Sequence, residues 1–80
     1  MMFLYKYYVN RPDGKTILGF FRVNSAGMIE GVTGAGWKLS MDMAPRLYQE
    51  FDYVSKVEAR RLFKKEFPKR DIANINQIFS

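Results

Sequence analysis

Residues 55–68 read Ser-Lys-Val-Glu-Ala-Arg-Arg-Leu-Phe-Lys-Lys-Glu-Phe-Pro, and they decide where the second half of the chain turns helical. Ser55 followed three residues later by Glu58 is a capping box. The serine hydroxyl accepts the amide of the third helical residue, and the glutamate reaches back to the amide of the cap residue. Ala59, Leu62, Phe63 and Phe67 then fall on one apolar stripe, with Arg60, Arg61, Lys64 and Lys65 pointing away from it. Pro68, which has no amide hydrogen and restricts the residue before it, ends the helix near Phe67. Beyond it, Asp71 is placed to cap a last short helix carrying Ile72, Ile75 and Phe79 along one side.

Upstream of Ser55 the period changes. Pro45 suits a first helical turn, and Leu47, Tyr48, Phe51 and Val54 fall at helical spacing, which predicts a short helix over 45–53. Residues 50–54 also read as a strand. Residues 3–10 alternate, with Phe3, Tyr5, Tyr7 and Val9 on one face and Leu4, Lys6 and Tyr8 on the other, and their residue types favour a strand. The turn Arg11-Pro12-Asp13-Gly14-Lys15 leads to a returning strand over 15–24, so the chain opens with a hairpin. A second turn at Ser25-Ala26-Gly27 enters a third strand over 28–33, and Trp37, Leu39, Met41 and Met43 alternate as a fourth. The prediction is a single α+β domain over 1–80. It consists of a three- or four-stranded antiparallel β-meander followed by a packed basic amphipathic helix and short flanking helices.

Composition narrows the function. At 48% hydrophobic and 26% charged residues the chain is globular rather than disordered. Cysteine and histidine are both absent, which removes the disulfides, the usual zinc ligands, the commonest general base and the best nucleophile. Glu50 and Asp52 are the closest carboxylate pair, and without a pocket they read as solvated surface. No catalytic residue, metal or cofactor is expected. Residues 1–9 are apolar apart from Lys6, too short to span a bilayer and without a small-residue cleavage site, so the chain reads as cytoplasmic. Gly31 and Gly36 have the separation of a phosphate-binding loop, but Trp37 stands where that loop needs lysine, and Lys38 comes one residue late. Gly31-Val32-Thr33-Gly34 matches the GXXG of a KH domain, yet it follows a strand instead of joining two helices. Both read as a glycine-rich turn or bulge, with an exposed Trp37 and Lys38 beside it.

Charge is the clearest functional signal. Lys56, Arg60, Arg61, Lys64, Lys65, Lys69 and Arg70, against Glu58 and Glu66, carry the entire net charge of +5, and the rest of the chain sums to zero. The helix dipole favours Lys64 and Lys65 near a C-terminus but explains neither Arg60 and Arg61 nor the continuation past Pro68. Arg60, Arg61, Lys64, Lys65, Lys69 and Arg70 are therefore the candidate site, for nucleic-acid phosphates or for an acidic protein surface, with plain solvation of the face as the alternative. If Phe3, Tyr5, Tyr7, Ile17, Phe21 and Val23 face the helix, then Lys6, Tyr8, Leu18, Phe20 and Arg22 face outward. Lys6, Tyr8, Phe20 and Arg22 then become candidate sheet-face contacts for base stacking, or else part of a covered face or a homodimer seam.

The meander together with Phe51-Asp52-Tyr53-Val54-Ser55-Lys56-Val57-Glu58-Ala59 resembles the small sheet-plus-helix DNA-binding domains at the N-termini of phage and transposon integrases. Those domains enter their helix through a phenylalanine and a Thr/Ser-x-x-Glu-Ala cap. The likeness covers about ten residues, most of them the capping box, and it implies a sheet that reads the major groove, whereas here the charge lies on the helix. The expected function is a small non-enzymatic nucleic-acid-binding or regulatory module using the basic helix face. The alternative is a protein-interaction or inhibitor domain, of the kind phages and mobile elements carry, that docks the same face on an acidic partner. Adsorption to an anionic membrane surface is a third reading, and it lacks an exposed apolar rim on the helix.

Overall fold

The computed structural model describes residues 5–33, 36–40 and 50–80. In chain order the elements are β1 (Lys6–Asn10), β2 (Gly19–Val23), β3 (Ile29–Thr33), β4 (Gly36–Leu39), β5 (Asp52–Val54), α1 (Lys56–Glu66) and α2 (Ile72–Ile78). Among the described residues the strands form one five-stranded antiparallel sheet in the order β4-β3-β2-β1-β5, giving an α+β fold. The first four strands are the expected meander. At 52–54, where the helical reading of 45–53 and the strand reading of 50–54 compete, the chain is a strand on the free edge of β1, pairing Tyr7 with Val54 and Tyr8 with Tyr53. Backbone pairing with β1 prevails there over the helical spacing of Phe51 and Val54. The rest of the predicted 45–53 helix up to Tyr48, with Phe3, Leu4, Gly34, Met41 and Met43, lies outside the described residues.

The first hairpin is fixed by its turn. Asp13 Oδ1 accepts the amides of Lys15 and Thr16 at 2.8 and 2.6 Å, and Gly14 at φ +74° donates its amide to the Arg11 carbonyl at 3.0 Å. The Asp13 carboxyl is held below its ordinary pKa by these bonds, that from Thr16 first. The register then pairs Tyr7 with Arg22 and Val9 with Phe20. This corrects the predicted faces of β2. Phe20 and Arg22 lie on the helix side, and Phe21 and Val23 on the other. Ile17 does pack on the helix side, but the irregular link at 17–18 breaks the two-residue alternation before β2 begins. With rings at both 20 and 21, the apolar pattern alone cannot say which faces inward.

On the helix side Tyr7, Val9 and Phe20 meet Ala59, Leu62 and Phe63 of α1 and Ile75, Ile78 and Phe79 at the C-terminus. Phe20 and Phe63 pack edge to face at 5.2 Å, as do Phe63 and Phe79 at 5.3 Å. The other side is also buried, by Tyr8, Val23, Ile29 and Phe51 with Phe21 packed against them. There the Phe21 ring lies flat over two glycines. A Cβ on Gly19 would stand 2.9 Å from Phe21 Cε2, and one on Gly31 would stand 3.2 Å from Phe21 Cε1. Gly31 therefore serves as a seat for a ring within β3 and not as a ligand loop, and Trp37 is a half-buried residue whose indole donates to the Ile78 carbonyl at 2.8 Å.

Helix α1 begins as predicted, with Ser55 Oγ accepting the Glu58 amide at 3.1 Å. The second arm of the box is diverted, since the Glu58 carboxylate takes the Arg61 guanidinium instead. Asp71 caps α2 through the Ala73 amide at 3.2 Å. Its buried side is Ile75, Ile78 and Phe79, whereas Ile72, expected on that side, is exposed.

Candidate functional site

Six cations were candidates on and beyond α1, and the fold divides them. Arg60 turns toward α2 and donates to Asn76 Oδ1 from Nε at 3.1 Å and from Nη2 at 2.7 Å. Arg70 donates to Asn74 Oδ1 at 3.1 Å and lies over the rings of Phe63 and Phe67, 5.3 and 5.7 Å from their centroids. These two are largely engaged in holding α1, α2 and their link together. Arg61, Lys64, Lys65 and Lys69 are exposed. The Arg61 guanidinium is steadied by Glu58, which raises its pKa and lowers that of the carboxylate, the hydrogen bond between them being the main cause in each case. Lys64, Lys65 and Lys69 have no carboxylate partner among the described residues.

The fold adds two cations that charge clustering along the chain did not single out. Arg11 and Lys15, at the β1–β2 turn, face Arg61 and Lys65 of α1 across a cleft of about 370 Å³, floored by Ile17 and Leu62. Arg61 and Lys65 are one helical turn apart, so both reach the cleft from the same ridge. Arg11 is fixed by Asp52 of β5, with Nη2 3.2 Å from Oδ2, and Lys15 by the Asp13 turn. Glu58 and Asp52 offset the two arginines, so the uncompensated charge of the cleft is Lys15 and Lys65, opposed by Glu66 on its rim. The signal in the sequence was the pair of cations flanking Pro-Asp-Gly. Its meaning depended on where the hairpin tip docks, which residue spacing does not carry.

The candidate sheet-face set is not one face. Lys6 and Tyr8 point to the side of Val23 and Phe21, whereas Phe20 and Arg22 point to the helix side. Phe20 is 3% exposed beneath α1. Arg22 is packed between the rings of Tyr5 and Trp37, 3.9 and 4.4 Å from their centroids, with Nε 2.6 Å from Glu30 Oε1. Neither is free to meet a base or a second copy of the chain. Tyr8 is buried too, so the side opposite the helix is a second core and not an open platform.

Among the described residues no helix is long and apolar enough to cross a membrane, and no group of three or more His, Cys, Asp or Glu side chains is placed to hold a metal ion. No protein-family profile, curated protein or solved structure matches the chain.

Proposed function

We propose that this protein is a non-enzymatic nucleic-acid-binding module whose contact surface is the exposed ridge of α1 joined to the β1–β2 turn. The observation that carries this reading is the convergence of Arg11 and Lys15 with Arg61 and Lys65 across one cleft, from positions about fifty residues apart. A solvated helix face explains cations on one helix. It gives no reason for a hairpin tip, pinned by Asp13 and Asp52, to bring two more against them. Lys64 and Lys69 extend the surface along α1 and past its end. Arginines steadied by a carboxylate yet still holding a free Nη1 suit phosphate oxygens, and the unpaired lysines supply counterion release. Arg60 and Arg70 serve the fold first.

The test is fluorescence anisotropy of labelled single- and double-stranded DNA and of RNA at 50 and 200 mM salt. Binding should weaken steeply with salt. Arg61→Ala with Lys65→Ala should weaken it for every sequence and flatten the log–log salt slope by about 2, roughly one per phosphate contact removed. Absence of binding to all three at 50 mM salt would reject the proposal and leave an acidic protein as the partner to seek.

A further inference from the structure

The cation cleft does not end at Lys65. It shares Ile17 and Glu66 with a second hollow walled by Leu18, Val32 and Phe67, and that hollow shares Glu66 and Phe67 with a third, formed by Pro68, Lys69 and Arg70. One groove therefore runs around the C-terminal end of α1, basic at the hairpin and apolar around Phe67. Leu18 is 65% exposed and Phe67 is 43% exposed. The Phe67 ring is braced by Phe63 at 4.8 Å and lies under the Arg70 guanidinium, so it is held in place while standing between two of the hollows.

Resting on the nucleic-acid reading above, we propose that the ligand is a single strand, with a base stacked on Phe67 and an adjoining phosphate in the Arg11–Lys15–Arg61–Lys65 cleft. A duplex keeps its bases stacked and shows only their edges within the grooves, so it offers no open π-face to the ring. A single strand supplies both a charged backbone and open π-faces, which matches a groove that is cationic at one end and aromatic at the other. Glu66 fits the same assignment. Its carboxylate repels a phosphate at the middle of the groove, and it is suited to accept from the exocyclic amine of a base lying there. The phosphate is thereby directed to the hairpin end.

The experiment compares a labelled twelve-nucleotide single strand with the matched duplex, on the wild type, on Phe67→Ala and on Leu18→Ser, with folding of each variant checked by circular dichroism. Leu18 is so exposed that its replacement leaves the core intact, which keeps the test open should Phe67→Ala unfold. The expected result is tighter binding of the single strand than of the duplex. Phe67→Ala should lose tenfold or more on the single strand and less than twofold on the duplex, with a smaller loss in the same direction for Leu18→Ser. Duplex binding as tight as single-strand binding, or equal losses on both, would overturn the single-strand assignment while leaving phosphate binding standing. No binding of either form would remove both.

Discussion

On the helix side of the sheet, Phe63 of α1 touches Phe20, Phe67 and Phe79 and belongs to a buried cluster drawn, among the described residues, from β1, β2, α1 and the C-terminal segment. On the other side, Phe21 spreads over Gly19 and Gly31 and leans on Phe51, against a buried cluster that among the described residues comprises Tyr8, Val23, Ile29 and Phe51. Both sides exclude water, yet they do so by different means. The helix side gains its burial by docking a second layer, so its energy is shared among rings that α1 brings from far along the chain. On the opposite side, among the described residues, a ring lies directly on strand backbone that glycine leaves bare. The proposed binding surface follows the same division. The groove and the cation cleft lie where α1 meets the hairpin, so the residues proposed to bind a ligand depend on the layer that carries most of the packing.

The largest effect that tests this contrast is Phe63→Ala. Truncating a buried Phe costs about 3–5 kcal/mol, which for a domain of this length approaches the whole folding stability. Phe51→Ala should fall at the low end of that range, because Phe51 is 7% exposed against 1% for Phe63. Urea unfolding followed by circular dichroism measures both. If Phe51→Ala proved as costly as Phe63→Ala, the two sides would be energetic equals and the contrast would fail.

The next effect concerns the glycine seat. Gly19→Ala places a methyl group 2.9 Å from the Phe21 ring, closer than carbon atoms tolerate. The ring leans on Phe51, 4.9 Å between centroids, and has little room to retreat. Overpacking of this kind costs about 1–3 kcal/mol, offset in part by the roughly 0.5–1 kcal/mol that alanine recovers in backbone entropy. Gly31→Ala, whose Cβ would stand 3.2 Å from the same ring, should cost less. In a Phe21→Ala background the Gly19→Ala penalty should vanish, and a penalty that persisted would mean the ring is not its cause.

Much of this architecture was legible in the chain. The turns at Asp13-Gly14 and Ser25-Ala26-Gly27, the Ser55 cap and the Pro68 stop are local devices, and each appears where its residues imply. Three features were not legible, each for a physical reason. The β2 faces were inverted because Phe20 and Phe21 are equally apolar and because Arg22, which looks like a solvent-facing residue, is accommodated inside by Glu30, Tyr5 and Trp37. Whether 52–54 is helix or strand stayed open because its pairing partner, β1, lies more than forty residues away, and spacing within a window cannot see that. The site was half legible. Clustering found Arg61, Lys64 and Lys65, but Arg11 and Lys15 join them only through tertiary docking, and Arg60 and Arg70 are withdrawn from it by Asn76 and Asn74.

The smallest effect is the most discriminating of the interior on the helix side. Tyr7 is buried there, and its hydroxyl makes no hydrogen bond of full geometry, although the Arg22 guanidinium lies close enough to act on it. Burial pushes its pKa above the ordinary 10.0, opposed by the hydrogen bonding and charge of the Arg22 guanidinium and helped by the smaller effects of Tyr5 and Glu30. A group whose folded pKa is raised holds its proton more tightly when folded. The stability it contributes is therefore fully present below the unfolded pKa and is lost as pH climbs past 10 through the folded value. Tyr7→Phe removes a hydroxyl that has no hydrogen bond of full geometry to lose, so neutral stability should change by less than about 1 kcal/mol. Above pH 10 the variant should outlast the wild type, since the two differ only at this ring. Unfolding curves at pH 7 and pH 11 make the comparison. A loss well above 1 kcal/mol at pH 7 would show that the Tyr7 hydroxyl is bonded in solution, with Arg22 the nearest donor. The helix side would then owe part of its stability to a polar link and not to ring packing alone.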